Sequence, residues 1–588
     1  MSTVSSTGSA SSSSASASYS GYTRGFNATE LAQIAYEDRL SKADSLETKI
    51  STNQTKISSY QSLQSLLQAV QVPLDSLRNS VKVTGDSSDA FLKRSATLTS
   101  SDSTSASSYL SATAKYGTSL GDHEIVVSQV AKAERLGSSE QSSSSDTMNL
   151  SGTFTLGTVS ADDGSSNPSS AVITITDDMS LSDIADAINV SASATGVNAS
   201  VVQTSGSEYM LVLTGAETDR QITLNAGAGT DDVLVSLGVI DALGTKVDQL
   251  QAAQAAKLTI DGVSISRASN TIDDALSGIT LDLYKPTVTT ASSTTIDSGS
   301  GATVTSTSVT SNTLTLDVSN DISSIESEID DFLTAYNSLR DFVLSNQSLN
   351  SDGTASDTAV LFGDSILRGV SSKVQSILSS NVNGVSLGSI GISFDVNNYL
   401  VLDSETLSNA LANSYDSVQA LFSYQMTSSS GSLMLLKSSD SLTSASFSLD
   451  VQVDGSGALS SVSCNGNSSL FTVSGSSIKG ATGSIYEGLS FVYVGKTSQT
   501  ISVSVSAGIA ERMYNSIDIY SDSYSGQLAS QISYLQEQDT DLSTRISAIQ
   551  SDAEAYREFL LTKYSNIAAK LATAQTTLSL LEALSKSS

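Results

Sequence analysis

Leu528 to Leu560 reads LASQISYLQEQDTDLSTRISAIQSDAEAYREFL, and the apolar line through it decides the fold. Leu528, Leu535, Leu542, Ile549 and Tyr556 stand seven residues apart, while Ile532, Asp539, Ile546, Ala553, Leu560 and Ile567 fill the complementary line. An apolar repeat averaging 3.5 residues keeps one stripe of an α-helix turned towards a partner, so this stretch predicts a coiled-coil seam. Asp539 is its one polar break. Beyond Leu560 the spacing shifts through Tyr564, Ile567, Leu571, Leu578 and Leu581, which reads as a stutter.

The opposite end of the chain carries a second seam. Between Thr29 and Arg78, Leu46, Asn53, Tyr60, Leu67 and Leu74 form one seven-residue line, and Ile50 and Ile57 begin the other. Asn53 is the polar position here, and Pro73 implies a kink or break near the end. The candidate seam residues are therefore Leu46, Ile50, Ile57, Tyr60 and Leu67 with Leu528, Ile532, Leu535, Leu542, Ile546, Ile549, Tyr556 and Leu560. The spacing fits two arrangements: long amphipathic helices each packed on its own domain, or terminal helices that pair with each other and then with neighbouring subunits.

Strands fill the middle. Ala171 to Thr176 alternates, Leu181 to Asn189 has a short helical pattern, and Val197 to Val202 and Tyr209 to Leu213 are strand-like, which makes a compact α+β unit. Lys257 to Gly262 ends in Asp-Gly, a hairpin signal, and Gly278 to Leu283 continues the β run. Thr287 to Thr313 reads as an edge strand or a linker. Helix returns at Asp321, with Asn320 as its expected cap, and again after Asp364. From about Thr427 to Ser506 the chain is once more β-like.

The reading is an α+β multidomain protein: a terminal helical coiled-coil leg with inserted β-rich domains. Residues 1–20 form a Ser-rich tail expected to be disordered, and 21–45 with 563–588 are helical segments ordering on assembly. Residues 46–90, 315–425 and 508–562 make the leg, 91–314 two β-rich outer domains, and 426–507 a further β-rich insertion.

Composition excludes several functions. Among 588 residues, 60 are acidic and 29 basic, a formal charge of −31, so the clustered cations that neutralise phosphates are missing and no nucleic acid is expected as partner. No apolar run reaches the roughly 18 residues that would insert in a membrane. The first twenty residues hold eleven Ser and neither Lys nor Arg, so they lack the basic and apolar regions of a cleaved secretory signal. One Cys, Cys464, closes no disulfide within the chain, and one His, His123, cannot form a two-His metal site. His123 itself is read as a solvated strand-end residue.

Three motifs resemble chemistry and fail on inspection. Gly495-Lys496-Thr497 ends like a phosphate loop, but Ser490 stands where its first Gly belongs, so a hairpin turn is expected. Gly227-Ala228-Gly229 lacks the third Gly of a dinucleotide fingerprint, and Asp231 and Asp232 would repel a pyrophosphate. Asp395-Val396-Asn397 starts like a calcium loop, yet Tyr399, Leu400 and Thr406 occupy positions of a ligand, the turn Gly and the bidentate Glu. No cofactor is expected, and no enzyme.

In order along the chain, four segments together resemble the bacterial flagellar filament cap family, flagellar hook-associated protein type 2. They are Gly25-Phe26-Asn27 to Glu37 with the following heptads and Phe91 to Ala96; Leu181 to Asn189 with Thr195-Gly196-Val197, similar to a motif shared by flagellin and hook proteins; Ala252 to Gly262 with Arg267, Asn270 and Gly278 to Leu281; and Gly363-Asp364, Ile390 to Ile392, Leu400 to Asp403, Ala410-Leu411, Leu421-Phe422 and Gly508-Ile509-Ala510 with the C-terminal heptads. The resemblance implies a secreted, extracellular protein at the flagellum tip that promotes ordered polymerisation of exported flagellin and prevents its loss. It further implies a homo-oligomeric ring of about five subunits, contact with the hook-filament junction protein, and a flagellar type III export chaperone. Two other readings stand beside it: a surface adhesin with β domains on a coiled-coil stalk, and a sister axial protein such as flagellin or the hook-filament junction protein.

Overall fold

The computed structural model describes residues 28–78, 88–102, 104–161, 166–226, 232–296, 303–439 and 442–586. The Ser-rich tail, residues 21–27 of the segment 21–45, and Gly227-Ala228-Gly229 lie outside them. The chain divides into two compact units, Met1–Gln71 with Ala335–Leu378 and Met513–Ser588, and Val72–Thr334 with Ser379–Arg512.

The first unit is helical. Its long members belong to the helices Ala28–Leu77 and Gln527–Lys586, joined by the later part of Ile322–Ser345, by Ser365–Leu378 and by the later part of Ile509–Ser521. Apolar residues at helical spacing explain each: in Ile322–Ser345, Ile325, Ile329, Phe332, Tyr336, Leu339 and Val343 are all buried. One local expectation is refined and one corrected. The first helix runs through Pro73 and ends four residues later, at Leu77. The cap of Ile322–Ser345 is Asp321, whose Oδ1 accepts from the Ser324 N–H at 3.1 Å, while Asn320 instead accepts from Arg94 Nη1 at 2.8 Å.

The second unit contains three β-rich cores. One joins a five-stranded sheet, ordered Arg94–Ser100, Leu314–Asn320, Gly121–Gln129, Ala256–Ile260 and Val263–Arg267, to the three strands Thr271–Leu276, Ile279–Leu283 and Leu110–Ala114. Alternation along these strands turns Ile125, Val127, Leu258, Ile260, Leu281, Leu314 and Leu316 inward. The Asp-Gly signal is a tight turn: Asp261 and Gly262 have φ of 51° and 81°, values that glycine and asparagine-like residues tolerate. Asp261 also meets His123 Nδ1 at 2.8 Å, so His123 is a half-buried strand residue rather than a solvated end.

The second core is inserted between the strands Gly121–Gln129 and Ala256–Ile260. There the helix Leu181–Val190, started by a capping box of Ser180 and Asp183, packs Leu181, Ile184 and Ile188 against Phe154, Leu156, Val197 and Leu213. A third core spans residues 424–507, where two four-stranded sheets enclose Phe447, Leu449, Phe471, Phe491, Ile501 and Cys464. Burial pushes the Cys464 thiol up. Ser490–Tyr493 and Gln499–Ser506 fall in different sheets, so Gly495-Lys496-Thr497 crosses between sheets and is not a hairpin turn. Gly508 follows the last strand at a close backbone approach, since a Cβ there would stand 2.2 Å from the Phe422 carbonyl carbon. Asp395 closes a short turn by accepting the N–H groups of Asn397 and Tyr399, both at 2.8 Å.

Candidate assembly seam

In the helical unit, Ala28–Leu77 and Gln527–Lys586 run antiparallel. Asn53 Nδ2 donates to Asp539 Oδ1 at 2.8 Å, Arg39 pairs with Asp552, and Gln64 and Gln68 donate to the Ser521 carbonyl at 3.0 and 3.1 Å. The Arg39 guanidinium lies 3.8 Å from the Tyr556 ring centroid, and that of Arg557 lies 5.1 Å from Tyr36. The two polar breaks of the heptad lines thus hydrogen-bond each other: Asn53 and Asp539 are half-buried partners inside an otherwise apolar seam.

Burial divides the candidate residues into two groups. Tyr60, Leu67, Leu528, Ile532, Leu535, Ile546 and Leu560 are buried, whereas Leu46, Ile50, Ile57, Leu542, Ile549 and Tyr556 are half-buried. Tyr60 reaches out of the pair: its hydroxyl donates to Asp364 Oδ2 at 2.6 Å, and Asp364 Oδ1 caps Ser365–Leu378 through the N–H groups of Ile366 and Leu367. Burial, then the Asp364 carboxylate, raises the Tyr60 phenol well above its ordinary value, so it stays a neutral donor. Leu63, fully buried, was not among the candidates. It marks a phase change, because the stripe passes from half-buried Ile57 and buried Tyr60 to the buried Leu63, Leu67, Val70, Leu74 and Leu77; the seven-residue line of Leu63, Val70 and Leu77 is the signal that finds it.

Towards the C-terminus the seam continues past the described part of its partner. The antiparallel register carries Ala28 to about residue 564, and from there to Lys586 the helix Gln527–Lys586 continues. Ile567, Leu571, Leu578 and Leu581 are exposed by 42%, 44%, 59% and 59%, and among the described residues no helix covers them. Among the described residues there is also no group of three His, Cys, Asp or Glu placed to hold a metal ion, and no helix long and apolar enough to cross a membrane.

A leg made from both ends of one chain, with β-rich cores between, defines a structural assembly protein of α+β type. Family comparison places it further. Residues 253–575 match the model of the flagellar hook-associated protein 2 C-terminus, residues 24–134 its N-terminus, and residues 153–217 the flagellin hook IN motif. The chain belongs to the flagellar hook-associated protein 2 family and is a flagellar filament cap protein, a structural component and not an enzyme. It is 28% identical over 353 residues to flagellar hook-associated protein 2 of Escherichia coli K12, covering 58% of this chain and 69% of that one. Against the protein of that name from Salmonella typhimurium LT2 it is 30% identical over 245 residues, 40% of this chain and 46% of the relative. Among solved structures, the D1-D2-D3 domains of the flagellar cap protein FliD from Escherichia coli align with a TM-score of 0.45 at 28% identity, over 62% of this chain and 90% of that one. None of these likenesses favours an adhesin or a sister axial protein.

Proposed function

We propose that this chain works outside the cell at the distal end of the filament, as a homo-oligomeric ring of about five subunits under which exported flagellin folds into place. In this reading the helical leg contacts flagellin, the β-rich domains form the outer plate, and residues 21–45 and 563–588 complete their order only in the assembly. The ring first meets the hook-filament junction protein, and before export a flagellar type III chaperone shields the ends. Nucleic acid and membrane have no part in it.

The observation that carries this is the apolar line left exposed at the end of Gln527–Lys586. Ile567, Leu571, Leu578 and Leu581 keep about half their surface in water. Fully burying an aliphatic side chain is worth about 1.5–3 kcal/mol, so covering these four halves supplies on the order of 3–6 kcal/mol per copy. A gain of that size is reversible, as a cap that steps along with each added subunit requires.

Ile546→Asp tests the reading. Ile546 is 8% exposed, and an unpaired carboxylate there costs several kcal/mol, so the leg should open while the β-rich cores keep their melting transition. Cells carrying it should export the protein but release unpolymerised flagellin into the medium. The control Ser551→Asp, at an exposed position, should leave filaments intact. Full-length filaments and no soluble flagellin from Ile546→Asp would count against capping through this leg.

A further inference from the structure

The strands Val288–Ile296 and Thr303–Ser311 pair only with each other. Nine residues of each lie in unbroken register, from Val288 opposite Ser311 to Ile296 opposite Thr303. The root of this ribbon is anchored. The Thr287 N–H donates to the Val127 carbonyl at 2.8 Å, its hydroxyl accepts from the Val127 N–H at 3.0 Å, and the Asn312 N–H donates to the Thr287 carbonyl at 3.1 Å. Beyond the root, among the described residues, neither long edge has a third strand.

In an antiparallel pair only alternate residues bond inward, so each nine-residue edge offers outward about four N–H and four C=O groups. Such ribbons are marginal in water by themselves, and proteins blunt bare edges with Lys, Pro, bulges or short strands. This one carries none of those devices. Between Pro286 and Leu316 the sole charged residue is Asp297, and the strands are mostly Thr, Val and Ser. In a chain of net charge −31, copies repel where their carboxylates meet, and an uncharged strand edge is a place where two copies approach without that cost.

We infer that the ribbon is a strand-addition surface for a second copy of this chain: the free edge of Thr303–Ser311 in one copy takes the free edge of Val288–Ile296 in the next. Within each ribbon the two strands run in opposite directions, so the added strand is again antiparallel and the hydrogen-bond ladder continues. Two different edges meet, which makes the contact heterologous, and a constant rotation closes it into a barrel of two strands per copy with no edge left open. The inference deepens the oligomeric reading above and rests on it.

The test shortens the ribbon in the full chain by replacing Thr290–Val309 with Asn-Gly. That leaves Val288 opposite Ser311 and Thr289 opposite Thr310, closed by a two-residue turn. An unchanged melting transition of the β-rich unit establishes that the variant has folded. Mass photometry and sedimentation of both proteins should then show a closed parent oligomer of defined mass, with assembly of the shortened chain weakened about tenfold or more. A parent that stays monomeric, a parent that grows without limit, or a shortened chain that assembles as tightly would each overturn the inference. Capping is read separately, by soluble flagellin from Ile546→Asp, so tight assembly of the shortened chain discards the ribbon contact alone.

Discussion

Replacing Asn53 and Asp539 by Leu, singly and together, probes the polar pair at the middle of the leg. Asn53 donates to Asp539 at 2.8 Å, and both side chains are half-buried. A hydrogen bond to a charged group is worth about 1.5–3 kcal/mol net, and half exposure reduces this to about 1–1.5 kcal/mol. Asn53→Leu removes the donor and sets a carboxylate against an apolar side chain, so the leg should lose about that amount. Asp539→Leu orphans only a half-exposed amide and should lose less than 1 kcal/mol, because the new side chain also buries surface. In the double variant two half-buried Leu side chains meet, each contributing about 0.7–1.5 kcal/mol against the lost bond, and the leg should match or exceed the parent, by up to about 2 kcal/mol. Hydrogen exchange of peptides covering residues 46–60 and 532–546 reads these local opening energies, at about tenfold in protection per 1.4 kcal/mol. Strictly additive effects, or a double variant less protected than either single one, would refute the pairing.

Two further substitutions test the β-rich unit. Glu134, fully buried, accepts from Lys246 Nζ at 2.7 Å on both oxygens and from Gln249 and the Ile222 N–H, so Glu134→Gln should cost about 2–4 kcal/mol by stranding Lys246; calorimetry should show a lower melting temperature, partly restored by adding Lys246→Met. Asp89 accepts from the Phe91 N–H at 2.9 Å, and burial pushes its carboxyl up to about 6 against the lowering by that N–H and by Arg94. An acid raised in the folded state contributes stability that is full below its unfolded value near 4 and lost as pH rises through about 6. Asp89→Asn should therefore stabilise the unit at pH 7.5 by on the order of 1–3 kcal/mol and change little at pH 4, as urea unfolding at both values would show.

Much of the leg was legible because helical periodicity is local. Leu528 to Leu560 shows its stripe without reference to any other residue. What Asn53 and Asp539 do was not legible: each is visible as a break, but their bond spans 486 positions of sequence. Leu63 escaped because the stripe changes phase at Tyr60, and a strict seven-residue line steps past it. Asn320 and Asp321 are adjacent and both suit a cap; only the geometry shows that Arg94 draws Asn320 away. Asp261-Gly262 was legible since a two-residue turn demands positive φ, whereas the crossing at Gly495-Lys496-Thr497 depends on sheet membership, which strand patterns do not carry.

The most direct measurement is electron cryomicroscopy of filament ends from cells that produce this chain, with the chain carrying an epitope for labelling. Capping requires a closed ring of label and density at the distal end only, and bare ends with flagellin in the medium when the chain is absent. Label spread along the shaft, or filaments of normal length growing from unlabelled ends, would contradict it.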